Sequence, residues 1–158
     1  MVYKPRMTDK DAERPMTNSK ISTIASDFEF LDDWEDRYRY VIELGRDLQP
    51  YPENARDADH KVPGCVSQVW LKTTQGQGVD PVMEFLGDSD AHIVRGLVAI
   101  LLALYSGETA SAILKIDAEN VLKSLGLDEH LTPQRSNGLR SMVQRVRHDA
   151  QVALQNAA

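Results

Sequence analysis

A chain of 158 residues with 24 acidic and 18 basic side chains, net charge −6, is long enough to form one domain with a core that needs neither disulfides nor structural metal. The acidic balance excludes nucleic acid and an anionic membrane surface as main partners, because no basic excess exists to neutralise phosphates. A single cysteine excludes an internal disulfide and a multi-cysteine metal site, and it fits a reducing compartment.

Residues 1 to about 22 are polar and charged, with Pro5 and Pro15 among them. They predict a flexible tail ahead of a domain spanning residues 23–158, and the absence of an apolar h-region argues against a secretory signal. Ser26 or Asp27 is a candidate cap for a short helix through Leu31. Asp32 or Asp33 then starts a clearer one, in which Trp34, Tyr38, Val41, Ile42, Leu44 and Leu48 recur at helical spacing. Residues 49–59 carry two prolines and many polar groups and read as loop. A short strand around His60 to Val62 precedes the turn dipeptide Pro63-Gly64.

Val66 to Thr74 is β-branched and aromatic enough to form a strand. Gln75-Gly76-Gln77-Gly78 supplies a turn, and Val79 to Leu86 returns as an antiparallel partner. The next helix is expected from about Asp90 to Tyr105, with Ser89 or Asp88 as N-cap. It is apolar on nearly every face, which places it at the centre of the core. Gly107 ends it. Short helices follow at Ser111 to Ile116 and Ala118 to Leu125, closed by Gly126. The last helix runs from Pro133 to about Leu154, with Thr132 as N-cap and Leu139, Met142, Val143, Val146, Ala150 and Leu154 as its apolar stripe. Helices, a small antiparallel sheet, then helices again predict an α+β fold with the helices packed against the sheet.

The chemistry centres on Cys65. It sits where the Pro63-Gly64 turn meets the strand, and turns lie at the surface. The plain alternative is an inert core thiol in a binding module, since free cysteine is among the most buried residue types. A working Cys65 needs a positive neighbourhood or a cradle of backbone N–H groups to lower its pKa. Lys61 and His60 are near in sequence, though both also suit a solvated loop. A Cys-His hydrolase would draw on His60, His92, His130 or His148, but no orienting third group or oxyanion hole is evident. One cysteine and scattered histidines do not match a zinc site, so no metal is expected, and the sequence points to no cofactor.

Four blocks resemble the SufE family of sulfur acceptors, in order. They are Trp34 to Gly45, Lys61-Val62-Pro63-Gly64-Cys65-Val66-Ser67-Gln68-Val69-Trp70-Leu71, Gly87-Asp88-Ser89-Asp90-Ala91 leading to Leu97, and His130-Leu131-Thr132-Pro133-Gln134-Arg135-Ser136-Asn137-Gly138-Leu139. The resemblance covers nearly all of the chain from about Phe28 onward. It departs from the usual family wording at Val66, where glutamine is common. It implies a compact α+β fold shared with IscU-type scaffolds, and a cytoplasmic sulfur carrier that is not itself an enzyme. Such a carrier takes sulfane sulfur as a persulfide on Cys65 from a SufS-type desulfurase, stimulates that desulfurase, and passes the sulfur to the SufBCD scaffold. A single thiol suits this, because no second cysteine can attack the persulfide and expel sulfide. A paralogous acceptor feeding another sulfur pathway fits the same residues.

The resemblance also marks residues for partner binding. Asp90 reads as a first-turn acid of the central helix, or as a residue that positions the cysteine loop or faces the desulfurase. Arg135 lies early in the last helix, where the dipole disfavours a cation, and so suggests a carboxylate partner or an interface. Gln68 and Ser67 are candidates to hydrogen-bond around the cysteine loop, although Ser and Gln on a strand are more often solvated.

Overall fold

The structure is a computed structural model and describes residues 19–157. Its elements are α1 (Ser19–Phe30), α2 (Trp34–Arg46), a 3₁₀ turn at Glu53–Ala55, β1 (Val69–Gln75), β2 (Met83–Ser89), α3 (His92–Tyr105), α4 (Ala110–Lys115), α5 (Ala118–Ser124), α6 (Leu127–His130) and α7 (Pro133–Ala157). The order is the α+β arrangement expected from the sequence. β1 and β2 pair antiparallel, with Val69 opposite Ser89 and Gln75 opposite Met83. Lys61 adds one bridge to Trp70, the remnant of the short strand expected at His60 to Val62.

Local chemistry accounts for the helix starts. The Asp33 side chain accepts the Glu35 N–H at 2.9 Å and caps α2. Thr132 Oγ1 accepts the Arg135 N–H at 3.3 Å at the head of α7, so two of the expected caps hold. α3 is the core helix: Leu97, Val98, Ile100, Leu101, Leu104 and Tyr105 are each at most 2% exposed. It packs along α2 on one side and against β2 on another. The α2 contact is made backbone to backbone. A Cβ on Gly96 would stand 2.1 Å from the Val41 carbonyl oxygen, and one on Gly45 would stand 2.7 Å from the Gly96 nitrogen. α7 buries Leu139, Met142, Val146, Ala150 and Ala153.

Several boundaries differ from the sequence reading. The first helix begins at Ser19, earlier than the cap at Ser26 or Asp27, because Ile21 and Ile24 are buried at helical spacing with Phe28. The expected tail through residue 22 lies outside the described residues except for its last four, which form the first turn of α1. β1 begins at Val69, not Val66, because Gln68 bonds through its backbone to Asp90. β2 begins at Met83, not Val79. Pro81 has no N–H to give a ladder, Val79 is solvent-exposed, and Val82 bridges to Thr109 instead. α3 begins at His92 with Ala91 as a cap that makes no side-chain hydrogen bond. Asp88 and Ser89 cannot cap it, since both belong to the β2 ladder and Asp88 is held by two arginines. The short α6 is an addition to the expected elements, and Gly126, at φ 76°, separates it from α5.

Gly96→Ala tests the helix contact. Alanine favours a helix over glycine by about 1 kcal/mol, but the obstructing atom is backbone and the two helices must part. Overpacking of this kind costs roughly 1–3 kcal/mol or more, so we expect a net loss of about 2 kcal/mol, read as a lower urea midpoint with an unchanged slope. A variant as stable as wild type would show that α2 and α3 are not held at this distance.

Candidate functional site

Cys65 lies in a loop closed at its base by two backbone hydrogen bonds. Val62 N–H donates to the Val69 carbonyl and Leu71 N–H to the His60 carbonyl, both at 2.8 Å. At the loop tip Gly64 takes φ +87°, and a Cβ there would lie 2.6 Å from Ser141 Oγ on α7. The backbone conformation therefore favours glycine, and a side chain there would also force the Ser141 hydroxyl to turn away. The turn seats the next residue, Cys65, against α7, where its thiol donates to the Gly138 carbonyl at 3.7 Å. Gly138 is buried, and a Cβ on it would sit 3.5 Å from Cys65 Sγ, in ordinary contact.

The thiol is half-buried. It opens on a cleft of about 210 Å³ lined by Cys65, Val66, Thr132, Arg135, Gly138 and Met142, among others. Burial pushes the Cys65 pKa up from its ordinary value, and a carbonyl acceptor also favours the protonated thiol. The resting group is thus a neutral thiol at neutral pH. Lys61 and His60 follow their solvated-loop reading and do not surround the thiol. His60 turns to Asp57, with Nδ1 2.7 Å from Oδ1, and that hydrogen bond holds the Asp57 carboxyl below its usual range. Lys61 is exposed, and neither residue lines the cleft.

Arg135 does line it, and among the described residues no carboxylate pairs with its side chain. Asp90 and Gln68 sit at the other end of the loop. Asp90 Oδ1 accepts the Gln68 N–H at 3.0 Å, and Asp90 N–H donates to the Gln68 carbonyl at 3.3 Å. This two-bond clasp ends the loop, and Asp90 lies ahead of the first turn of α3, which begins at His92. Gln68 takes part through its backbone. Val66, the position that departs from the family wording, is 79% exposed beside the thiol.

Sequence reasoning missed three features. Gly138, on a distant helix, accepts the thiol's hydrogen bond through its backbone carbonyl, for which the sequence carries no signal. Arg145 and Asp149 were visible only as an i,i+4 pair. Asp88 suits a cap by type, but it is a buried carboxylate accepting from Arg56 Nη2 at 2.7 Å, Arg95 Nε at 2.6 Å and the Ser89 N–H at 2.8 Å. Arg56 also lies over the rings of Trp70 and Tyr51, at 4.9 and 5.3 Å. Asp88 therefore joins the segment ahead of the cysteine loop, the end of β2 and the start of α3. Among the described residues no group of three His, Cys, Asp or Glu converges to hold a metal ion.

The fold and the site define a class: an α+β protein that presents one thiol, half-covered by a C-terminal helix, on a short closed loop. A solution structure of a hypothetical protein from Thermus thermophilus shares the fold, with a TM-score of 0.70 at 21% identity, covering 89% of this chain and 99% of that one. The family model described as SufE: Fe-S metabolism associated domain matches residues 22–150. An uncharacterized SufE-like protein of Rhizobium etli is 58% identical over 135 residues, 85% of this chain and 91% of its own. One from Rhizobium meliloti (strain 1021) is 55% identical over 134 residues, 84% of this chain and 96% of its own. The chain belongs to the SufE family, and so to iron–sulfur metabolism. No helix among the described residues is long and apolar enough to cross a membrane.

Asp88→Asn tests the node beneath the loop. Burial pushes the Asp88 pKa up, but the hydrogen bonds from Arg95, Arg56 and the Ser89 N–H together outweigh it and hold the carboxyl below its usual range. A depressed folded value contributes stability above the unfolded pKa of about 3.9, which is lost as pH falls through the folded value. The asparagine variant should lose about 3 kcal/mol at neutral pH and show a shallower decline on acidification than wild type. Urea titrations at neutral and acidic pH would reveal both effects, and parallel curves would mean Asp88 does not carry the acid limb.

Proposed function

We propose that Cys65 is the sulfur acceptor of this chain and that the cleft around it is where a cysteine desulfurase docks. The observation that carries the reading is the thiol itself: the one cysteine of the chain faces a small cleft with an exposed apolar neighbour, Val66, and with Arg135, which has no carboxylate partner among the described residues. In the transfer, the Cys65 thiol gives its proton to solvent, and the thiolate so formed attacks the terminal sulfur of the desulfurase's cysteine persulfide. The S–S bond breaks, the desulfurase cysteine leaves as thiolate, and Cys65 holds the sulfur as Cys–S–SH. No electrons are exchanged with a third party, so no redox cofactor enters. The chain is then a carrier and activator, not a catalyst. Its partners are a SufS-type desulfurase upstream and the SufBCD scaffold downstream, in the cytoplasm. Asp90 and the Gln68 backbone hold the loop that is handed across, and Arg135 meets an acidic group of the desulfurase.

A neutral resting thiol favours a second reading, an inert cysteine in a binding module. The two separate on one measurement. Incubated with desulfurase and L-cysteine, wild type should gain one sulfur, about 32 Da by intact mass, through persulfide exchange. Cys65→Ser should fold normally and gain none. The same gain in the serine variant, or none in wild type, removes the acceptor assignment.

Arg135→Glu suits the dipole of α7 better than arginine does while repelling an acidic partner. It should leave the melting temperature near that of wild type and lower desulfurase stimulation roughly tenfold, a loss typical of one docking charge pair. Unchanged stimulation would remove Arg135 from the interface.

A further inference from the structure

The segment leading into the thiol loop is gripped by the same helix that covers the thiol. Arg145 on α7 donates from Nη2 to the Asp59 carbonyl at 2.9 Å, and from Nη1 to the Lys61 carbonyl at 3.5 Å. Its Nε faces Asp149 Oδ1 at 3.4 Å. Asp149 Oδ2 in turn accepts the Thr73 hydroxyl on β1 at 2.6 Å. The guanidinium is therefore seated on a carboxylate that is itself fixed to the sheet. Gly138, Ser141, Arg145 and Asp149 recur at spacings of three and four, which puts them on one face of the helix. That face meets, in order, the Cys65 thiol, the Gly64 turn, the upstream stem of the loop and β1.

We propose that Arg145 is a positioning residue: by holding the carbonyls of residues 59 and 61 it sets the depth at which Cys65 rests against α7, and with it the rate at which the thiol meets a reagent. The inference rests on Cys65 being the sulfur acceptor. The bonds that close the loop, Val62 to Val69 and Leu71 to His60, and the Asp90 clasp do not involve α7. Without Arg145 the loop stays closed on β1 while its seat on the helix loosens. A purely structural ion pair would behave otherwise, changing the melting temperature and leaving the thiol as it was.

Arg145→Met keeps the side chain's apolar stem and removes its donors. In the full-length protein, iodoacetamide alkylation of Cys65 is followed across a pH series, beside melting temperature and desulfurase-dependent sulfur uptake. Alkylation at neutral pH should rise roughly tenfold, equivalent to about 1.4 kcal/mol. The midpoint of its pH profile should fall, because burial is what raises it. That direction is diagnostic: loss of a cation alone would move the midpoint up, and Arg135, the charged residue lining the cleft, is untouched. Arg145→Lys retains one donor and should fall between the two. Arg140→Met, whose native side chain bonds Asn137 on the exposed face, should match wild type. If Arg145→Met melts lower but alkylates with the wild-type rate and midpoint, the positioning role is overturned. If it fails to fold, a folded Arg145→Lys with wild-type alkylation overturns the role equally. If alkylation shifts as expected while wild type takes up no sulfur, the positioning role stands and the acceptor reading falls.

Discussion

A carboxylate removed from water must have its charge answered, and Asp88 is answered twice. Arg56 arrives from the segment before the thiol loop and Arg95 from the central helix, while Asp88 itself belongs to the strand that ends at the Asp90 clasp. Desolvating the three groups is costly, so the arrangement is tolerable only when all are in place together. That condition links the sheet, the core helix and the approach to the loop into one unit. Arg56 extends it by covering Trp70 and Tyr51. The loop thus stands on a base that leaves little freedom at its ends, and what freedom exists lies at its tip.

At the tip, glycine makes the geometry possible. Gly64 turns the chain at φ +87°, a conformation that favours glycine, and the Gly138 carbonyl accepts the thiol's hydrogen bond. Together they set the thiol against a carbonyl and half out of water. That burial pushes the thiol's pKa up, away from the thiolate, which is the reactive form.

Much of the fold was legible because local and tertiary preferences agree. The apolar run around Leu97 to Leu104 has no polar face to present to solvent, so it had to be central. Thr132-Pro133 and Asp33 mark helix starts by chemistry that needs no partner. The reading failed where a residue suited to a local task is held by a distant one. Asp88 and Ser89 are good caps by type, yet they lie in the ladder, and Asp88 binds arginines that sequence spacing does not bring near. The same logic governs the site. Cys65 could be named from its turn and its solitude. Its surroundings could not, because Lys61 and His60, close in the chain, face elsewhere, while Gly138, 73 residues away, touches the sulfur.

That separation has a consequence for synthesis. The loop, the sheet and the core helix all precede α7 in the chain, so Cys65 leaves the ribosome well before its cover does. At about 5–20 residues per second, the 73 residues between Cys65 and Gly138 correspond to roughly 4–15 s during which the nascent thiol has no helix above it. The half-buried state is therefore acquired only near the end of synthesis, once α7 has emerged.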